Sequence, residues 1–108
     1  MKLLALRKRG EFLRVQGTGR RVRRKFIVAI TSSNQTSVTR VGFTVSRKVG
    51  GAVVRNRVRR RLRALVQAHQ ALLGEGIDYV IVAFPDAAQA TFAALEEDLT
   101  WVLRRSIS

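Results

Sequence analysis

The apolar positions of this chain follow two different periods, which predicts both helices and strands. The longest helical pattern covers residues 52–73, after the pair Gly50-Gly51 and before Gly74. Its apolar residues recur at spacings of four and three, so they share one side of a helix. These residues are Val54, Val58, Leu62 and Leu65. The spacing therefore predicts one long helix near the middle of the chain.

Two further helices are predicted near the ends of the chain. Residues 11–16 place Phe12 and Val15 on one face, and Gly17 follows as a helix-ending residue. Residues 87–105 form the last helical pattern. Its inward side is expected to carry Phe92, Leu95, Leu99, Val102 and Leu103.

Three segments have the patterns of strands. Residues 26–30 are rich in β-branched side chains, and residues 38–45 alternate between apolar and polar positions. Residues 77–84 contain a nearly continuous apolar run, which is typical of a strand buried on both faces. The polar residues 31–37 are expected to join the first two strands as a hairpin.

The order of these elements predicts an α+β fold, a two-layer α/β sandwich. The strand at 38–45, the helix after it and the strand at 77–84 form a unit whose strands run parallel, beside the antiparallel hairpin. A chain of 108 residues suits one domain. We therefore expect a single domain over 1–108, in which residues 1–10 are a flexible basic lead-in.

Positive charge dominates the chain and is unevenly distributed. The net charge is +14, from 21 basic and 7 acidic residues. No acidic residue occurs from Phe12 to Gly74, a stretch that holds 15 of the basic residues. Such a field attracts polyanions. Nucleic acid is favoured over an anionic membrane, because the basic helix lacks the Trp or Phe anchors of interfacial helices.

The middle helix concentrates this charge. Six of the nine residues from 55 to 63 are arginine. Arg55, Arg59 and Arg63 form one row along the helix, and Asn56 and Arg60 form the next. Like charges four residues apart repel one another, and an external polyanion would remove that repulsion. The pattern therefore favours nucleic-acid contact over a merely solvated face.

Residue types that form catalytic or metal sites are scarce. The chain has no cysteine, and its one histidine, His69, falls on the apolar side of the middle helix, where a core or border role is expected. Glu96, Glu97 and Asp98 are adjacent, so they project in different directions from a helix. Gly50-Gly51 lacks the following Lys-Ser/Thr of a phosphate-binding loop. The polypeptide alone is expected to be non-catalytic, without a metal, cofactor or small-molecule substrate.

The apolar segments are short. None approaches the ~20 residues of a membrane span. The apolar stretch near the N-terminus turns basic too soon for a signal peptide. We therefore expect a cytoplasmic protein with no membrane partner.

The aromatic residues Phe12 and Phe26 both lie inside the basic half of the chain. An exposed ring in such surroundings could stack on a nucleotide base. Both rings could equally belong to the core. The sequence pattern leaves these alternatives open, with a slight preference for partial exposure at Phe12.

The segment from Val41 to Arg63 reads V-G-F-T-V-S-R-K-V-G-G-A-V-V-R-N-R-V-R-R-R-L-R. It closely resembles the signature of the bacterial ribonuclease P protein family, G-x-x-V-S-K-K-x-G-x-A-V-x-R-N-x-x-K-R-x-x-R. Arg47 and Arg59 stand where that signature has lysine, which keeps the charge. The segments Glu11-Phe12 and Gly76-Ile77-Asp78-Tyr79-Val80 resemble the family as well, and the resemblance extends over roughly residues 7–105.

The resemblance implies a fold and a function. The family's element order is α-β-β-β-α-β-α, with a left-handed β-α-β crossover (ribosomal protein S5 domain 2-like) and an extra short strand near residues 17–22. Its members assist a catalytic RNA that removes the 5′ leader from precursor tRNA, using Mg²⁺ held by the RNA. The implied partners are therefore the ribonuclease P RNA subunit and precursor tRNA, and cleavage belongs to the RNA.

The resemblance also implies two binding surfaces. One faces the RNA subunit and comprises Lys48, Arg55, Asn56, Arg57, Arg59, Arg60 and Arg63. The other is a cleft between the sheet and the first helix that holds the single-stranded leader, with Phe12, Phe26, Ser46 and Lys48. The family often has aromatic residues where this chain has Gln16 and Ala29, which implies weaker stacking of the leader here.

Two other classes of protein fit the charge and size. A structural ribosomal protein would share both, and the R-N-R motif after G-x-A-V separates it from the ribonuclease P family. A DNA-binding architectural protein is the third hypothesis. Against it, the chain has neither dimerising heptads nor helix-turn-helix spacing.

Overall fold

A five-stranded mixed sheet forms the centre of the molecule and separates one helix from the other two. The computed structural model describes residues 2–107. Its elements in chain order are β1 (Lys2–Ala5), α1 (Arg9–Thr18), β2 (Arg20–Arg23), β3 (Ile27–Ser33), β4 (Val38–Val45), α2 (Ala52–Ala68), β5 (Ile77–Ala83) and α3 (Phe92–Ser106). Short 3₁₀ turns at Gln70–Leu72 and Pro85–Ala88 flank β5. After β1, the order matches the predicted α-β-β-β-α-β-α arrangement, so the α+β fold class is confirmed.

The strands lie in the order β1-β4-β5-β3-β2. The predicted parallel pair is confirmed, because β4 and β5 run parallel with Val41 opposite Tyr79. The predicted hairpin between β3 and β4 is wrong: β5 lies between them and pairs antiparallel with β3. The continuous apolar run of β5 explains this order, since a strand buried on both faces belongs at the centre of the sheet.

The N-terminal segment differs from the flexible lead-in that the sequence predicted for residues 1–10. Lys2–Ala5 forms the edge strand β1, parallel to β4, and the amide of Leu6 donates to the carbonyl of Val41 at 2.9 Å. Leu6 is buried. This segment is too short to show a strand period in the sequence, and its pairing with β4 makes it an edge strand. Met1 lies outside the described residues.

The helix ends also differ from the predicted ones. α1 is longer than residues 11–16 and contains Gly17. α2 stops at Ala68 instead of Leu73 because the chain turns at His69 into a 3₁₀ turn. α3 begins after Thr91, whose hydroxyl accepts a hydrogen bond from the Ala94 amide at 3.0 Å. Phe92 is therefore in the first helical turn and 44% exposed, so its predicted inward position is wrong.

Each face of the sheet has its own core. The larger core lies under α2 and α3 and includes Val58, Leu62, Leu95 and Leu99. The smaller core lies on the face that carries α1, and its buried members are Leu6, Val15, Val28, Ile30 and Val80. We call these the α2–α3 face and the α1 face.

Candidate nucleic-acid interface

The buried side of α2 fixes which of its side chains point outward. Val58, Leu62 and Leu65 are each at most 1% exposed, so this side of the helix lies on the sheet. Burying such a side chain stabilises the fold by about 2 kcal/mol. The arginines between them are consequently carried on the remaining surface, and the helix itself gains nothing from placing them together.

The arginines of α2 divide into two groups. Arg57 and Arg61 point towards the segment before α3 and donate to the carbonyls of Ala88 and Ala90, at 3.0 and 3.3 Å. The others form the two outward rows predicted from the sequence. In these rows the guanidinium of Arg59 donates to the side-chain oxygen of Asn56 at 3.2 Å. We call the outward rows the α2 arginine surface: Arg55, Asn56, Arg59, Arg60 and Arg63.

Among the described residues 2–107, no acidic side chain forms an ion pair with the α2 arginine surface. Within residues 2–107, the ion pairs of this chain involve Arg14, Arg24 and Arg40, Glu96 contacts the ring of His69, and no acidic side chain pairs with an arginine of α2. Lys48 is exposed just before the helix and adds to this charge. Arg57, in contrast, is partly committed to a contact within the chain.

A different cluster surrounds Asp78 on the α1 face. Asp78 is fully buried and accepts hydrogen bonds from Arg40 at 2.7 and 2.8 Å and from Asn34 at 2.8 Å. Arg14 of α1 pairs with the same carboxylate, and Glu11 of α1 pairs with Arg40. These contacts fasten α1 to β4 and β5, although α1 buries only Val15 completely.

The ionisation of this cluster follows from its contacts. Burial alone would raise the pKa of Asp78, but hydrogen bonds from Arg40 and Asn34 and the charges of Arg40 and Arg14 outweigh it, so the pKa lies below its ordinary value. The hydrogen bond to Asp78 raises the pKa of Arg40 above its ordinary value. Both groups therefore remain charged near neutral pH and stabilise one another.

Phe12 lies on the α1 face, where it packs against the smaller core and remains half-buried. It sits directly over Gly42 of β4: a Cβ atom at Gly42 would lie 2.3 Å from the tip of the Phe12 ring. A groove beside this contact is lined by Leu6, Phe12, Gly42, Arg59 and Arg63 among others. Two arginines of the α2 arginine surface, Arg59 and Arg63, therefore line the same groove as Phe12.

The other residues of the predicted leader cleft lie away from Phe12. Ser46 and Lys48 are exposed in the loop after β4, and the hydroxyl of Ser46 accepts from the Lys48 amide at 3.3 Å. Phe26 is half-buried, packs against the larger core, and its amide donates to Asp98 of α3 at 2.7 Å. The structure therefore does not gather these four residues around one point.

Ala29 does not belong to the cleft. It is fully buried in the larger core, on the α2–α3 face. Its neighbours in the strand, Val28 and Ile30, belong to the smaller core instead. The expectation that Ala29 weakens leader stacking is consequently wrong for this fold, because a strand residue and its neighbour face opposite sides.

His69 and the acidic residues were the other candidates for a chemical site. His69 is a border residue at the end of α2, as expected, and its ring nitrogen lies 2.8 Å from Glu96 of α3. Among residues 2–107, no three His, Cys, Asp or Glu side chains are grouped to hold a metal ion. In the same range, no helix is long and apolar enough to cross a membrane.

Sequence reasoning missed Arg40, Asp78 and Gly42, which position Phe12. Asp78 was visible in the G-I-D-Y-V segment, where a carboxylate interrupts an otherwise apolar strand. Such a residue signals a buried ion pair. Its partners could not be identified, because Arg14 and Arg40 are far from it along the chain.

The protein is small and basic, and its α+β fold carries helices on both faces of the sheet. Its arginine surface has no acidic partner within residues 2–107. These features define a protein of the nucleic-acid-binding class. The family model described as Ribonuclease P matches residues 1–106. A ribonuclease P protein component from Caldanaerobacter subterraneus is 39% identical over 105 residues, covering 97% of this chain and 90% of the relative. One from Acidothermus cellulolyticus is 43% identical over 102 residues, covering 93% and 85%.

Solved structures agree with these sequence relatives. The Staphylococcus aureus RNase P protein superposes with a TM-score of 0.87 at 27% identity, covering 95% of this chain and 94% of that one. The Thermotoga maritima RNase P protein gives 0.85 at 26% identity, covering 94% and 96%. This chain belongs to the family of ribonuclease P protein components, subunits of the endoribonuclease that processes tRNA.

Proposed function

We propose that this chain binds the ribonuclease P RNA through the α2 arginine surface and the 5′ leader of precursor tRNA through the α1 face. In this proposal the RNA is the catalyst and holds the Mg²⁺ ions, and the protein improves binding of the substrate. Cleavage removes the leader and produces the mature 5′ end.

The observation that carries the proposal is the α2 arginine surface. Its four arginines form no ion pair within residues 2–107, whereas Arg14 and Arg40 are paired with Asp78. Cations without acidic partners gain most from phosphate groups, because each contact also releases counterions from the RNA. Asn56 holds Arg59 by a hydrogen bond and supplies an uncharged group to the same surface.

The leader assignment is supported by the groove beside Phe12. A half-buried ring and the positively charged Arg59 and Arg63 line the same groove. Proteins that bind single-stranded RNA combine aromatic stacking with a positive groove in this way. Double-stranded RNA does not offer unstacked bases to such a ring, so a single-stranded leader is the substrate segment that fits.

Cleavage by the RNA is supported by the side chains available. Most acidic residues of the chain are used in contacts within the protein: Asp78 with Arg14 and Arg40, Glu11 with Arg40, Glu97 and Asp98 with Arg24, and Glu96 with the ring of His69. No cluster of metal-ligating side chains exists within residues 2–107. A two-metal hydrolytic site needs several such ligands together.

The test is reconstitution with a ribonuclease P RNA at low Mg²⁺, followed by measurement of precursor tRNA cleavage. We expect the protein alone to leave the substrate intact and the RNA alone to cut only at high Mg²⁺. Adding the protein should lower the Mg²⁺ requirement. Cleavage by RNA-free protein, or no effect of the protein on the RNA, would contradict the proposal.

A further inference from the structure

Phe84 is a half-buried aromatic residue that follows β5 and that neither the sequence nor the family signature assigns to a site. Alternate residues of β5 face α1, namely Asp78, Val80 and Val82, and Phe84 continues this series one residue beyond the strand. Phe84 packs against the same small core as Phe12 and Val82. It therefore belongs to the α1 face.

The cover provided by α1 ends before Phe84. Asp78 and Val80 are fully buried, whereas Val82 and Phe84 are only half-buried. α1 is fastened at the Asp78 end of β5, through Arg14. The opposite end of the same face is therefore open to solvent, and Phe84 marks that end.

Arg23 lies against this exposed ring. Its guanidinium carbon is 4.6 Å from the centre of the Phe84 ring. The pairing of Arg23 with Val28 places it on the α1 face, at the outer strand β2. Within residues 2–107 Arg23 forms no ion pair, so the ring holds its charge in place without neutralising it.

The residues around Phe84 include those that the resemblance assigns to the leader. The amide of Phe84 donates to the carbonyl of Phe26 at 2.9 Å. Val45 is paired with Ala83, so Ser46 and Phe84 follow side by side where the two parallel strands end. Ser46 and the backbone of Phe26 are therefore neighbours of Phe84 rather than of Phe12, whereas the ring of Phe26 packs against the larger core.

Phe12 and Phe84 are too far apart to hold one base between them. Phe12 lies over Gly42, which is paired with Val80, four residues before Phe84. Four residues of a strand span roughly 13 Å. Two rings at this separation would contact different nucleotides of one strand.

We infer that Phe84 and Arg23 form a second contact for single-stranded RNA at the open end of the α1 face. A base stacks on the Phe84–Arg23 pair, and the guanidinium also attracts the adjacent phosphate. This site extends the leader contact beyond Phe12 and compensates for the missing aromatic residue at position 16. The inference rests on the proposed leader binding.

The experiment compares the variants Phe84→Leu, Arg23→Gln and Phe12→Leu in the holoenzyme. Affinity is measured for mature tRNA and for precursor tRNAs with leaders from a single nucleotide upwards. Phe92→Leu and Arg104→Gln are matched controls, because both residues are exposed on α3, on the other side of the sheet. Melting curves verify that each variant is folded. Arg23→Gln changes an exposed side chain and keeps the test valid if Phe84→Leu is unstable.

We expect Phe84→Leu to weaken binding of long-leader substrate by roughly 5-fold or more. Arg23→Gln should lower the salt slope by about 0.7. Mature tRNA and both control variants should be unaffected, and the Phe84 and Phe12 effects should begin at different leader lengths. If only Phe12→Leu weakens precursor binding, or if Phe84→Leu weakens mature tRNA equally, this inference is wrong. If none of the three variants distinguishes precursor from mature tRNA, the proposed leader contact itself is wrong.

Discussion

The arginines of α2 and the arginines next to α1 have the same charge and opposite surroundings. Arg14 and Arg40 converge on the buried carboxylate of Asp78, with Glu11 completing the network. Arg59 and Arg60, on α2, have no acidic partner within residues 2–107. The comparison shows that charge paired inside the fold positions an element, whereas charge left unpaired on a helix surface remains available to an external polyanion.

The two regions are also stabilised differently. α2 is held by burial of apolar side chains such as Val58 and Leu62, and so it tolerates its own charge repulsion. α1 completely buries only Val15, and polar contacts with Asp78 and Arg40 fasten it to the sheet. Removal of one charge from the Asp78 network should therefore destabilise the protein through α1. Removal of one charge from α2 should leave the protein folded.

The largest effect is expected for Asp78→Asn. This change removes the charge that holds Arg14 and Arg40, so Arg14 loses its acidic partner and Arg40 keeps only Glu11. We expect a loss of about 3 kcal/mol in the free energy of unfolding, at the lower end for a broken buried pair because both arginines reach solvent. Denaturant unfolding measures it, with Arg60→Gln as the control that should change stability little. Equal stability of both variants would contradict the claim that the paired arginines stabilise the fold and those of α2 do not.

The same network predicts the direction of acid sensitivity. The pKa of Asp78 is lower in the folded protein than its ordinary value of 3.8. Its contribution to stability is therefore fully present above about pH 4 and is lost as the pH falls through the lowered value. Asp78→Asn should remove this part of the acid dependence. An unchanged difference in stability between the wild type and Asp78→Asn across this pH range would show that Asp78 does not titrate as described.

A smaller effect, on binding rather than stability, is expected for Phe12→Leu. The leucine keeps apolar contact with the small core but removes the ring that can stack on a base. Affinity for precursor tRNA should fall by roughly 1–3 kcal/mol in the holoenzyme. Mature tRNA has no leader and serves as the control. Equal losses for both tRNAs, with a large fall in melting temperature, would assign Phe12 to the core alone.

Arg60→Gln should affect RNA binding through its salt dependence. One lost phosphate contact lowers the slope of log affinity against log salt by about 0.7–0.9. Arg61→Gln is the matched control on the same helix, since Arg61 donates to the carbonyl of Ala90 inside the protein. Titration of the ribonuclease P RNA at several salt concentrations distinguishes the two. Identical slopes in both variants would contradict the division of the α2 arginines.

The smallest effect is expected for Asn56→Ala. Asn56 is uncharged and accepts a hydrogen bond from Arg59 at 3.2 Å. Its loss should weaken RNA binding by about 1 kcal/mol or less, with an unchanged salt slope. A changed slope would show that Asn56 acts mainly by placing Arg59 on a phosphate.

Sequence periodicity predicted α2, β4 and β5 and their parallel arrangement, because each element has its own apolar pattern. It could not predict that β5 separates β3 from β4, since strand order depends on which strand is buried most deeply. The four residues of β1 carry no strand period of their own, so only their pairing with β4 makes them a strand.

The candidate surfaces were predictable to different degrees. The rows of α2 followed from helical spacing alone, and the structure keeps them outward, whereas Arg57 and Arg61, which belong to neither row, donate to backbone carbonyls of the protein. The residues of the leader cleft were predicted from the resemblance. Whether each one can contact the leader depends on the face of the sheet to which its side chain points. Ala29 illustrates the difficulty, because a shift of one residue along a strand moves a side chain to the opposite face.

The measurement that tests the account most directly is the salt dependence of binding to ribonuclease P RNA for two sets of variants. One set replaces Arg55, Arg59, Arg60 and Arg63 together by glutamine, and the other replaces Arg14 alone. We expect the first to lower the slope by roughly 3, at about 0.7–0.9 for each lost contact, and to stay folded. Arg14→Gln should leave the slope unchanged while lowering stability. An unchanged slope in the fourfold variant would contradict the claim that the unpaired arginines of α2 bind the RNA. The claim would also be contradicted if Arg14→Gln changed the slope as much as each α2 arginine does on average.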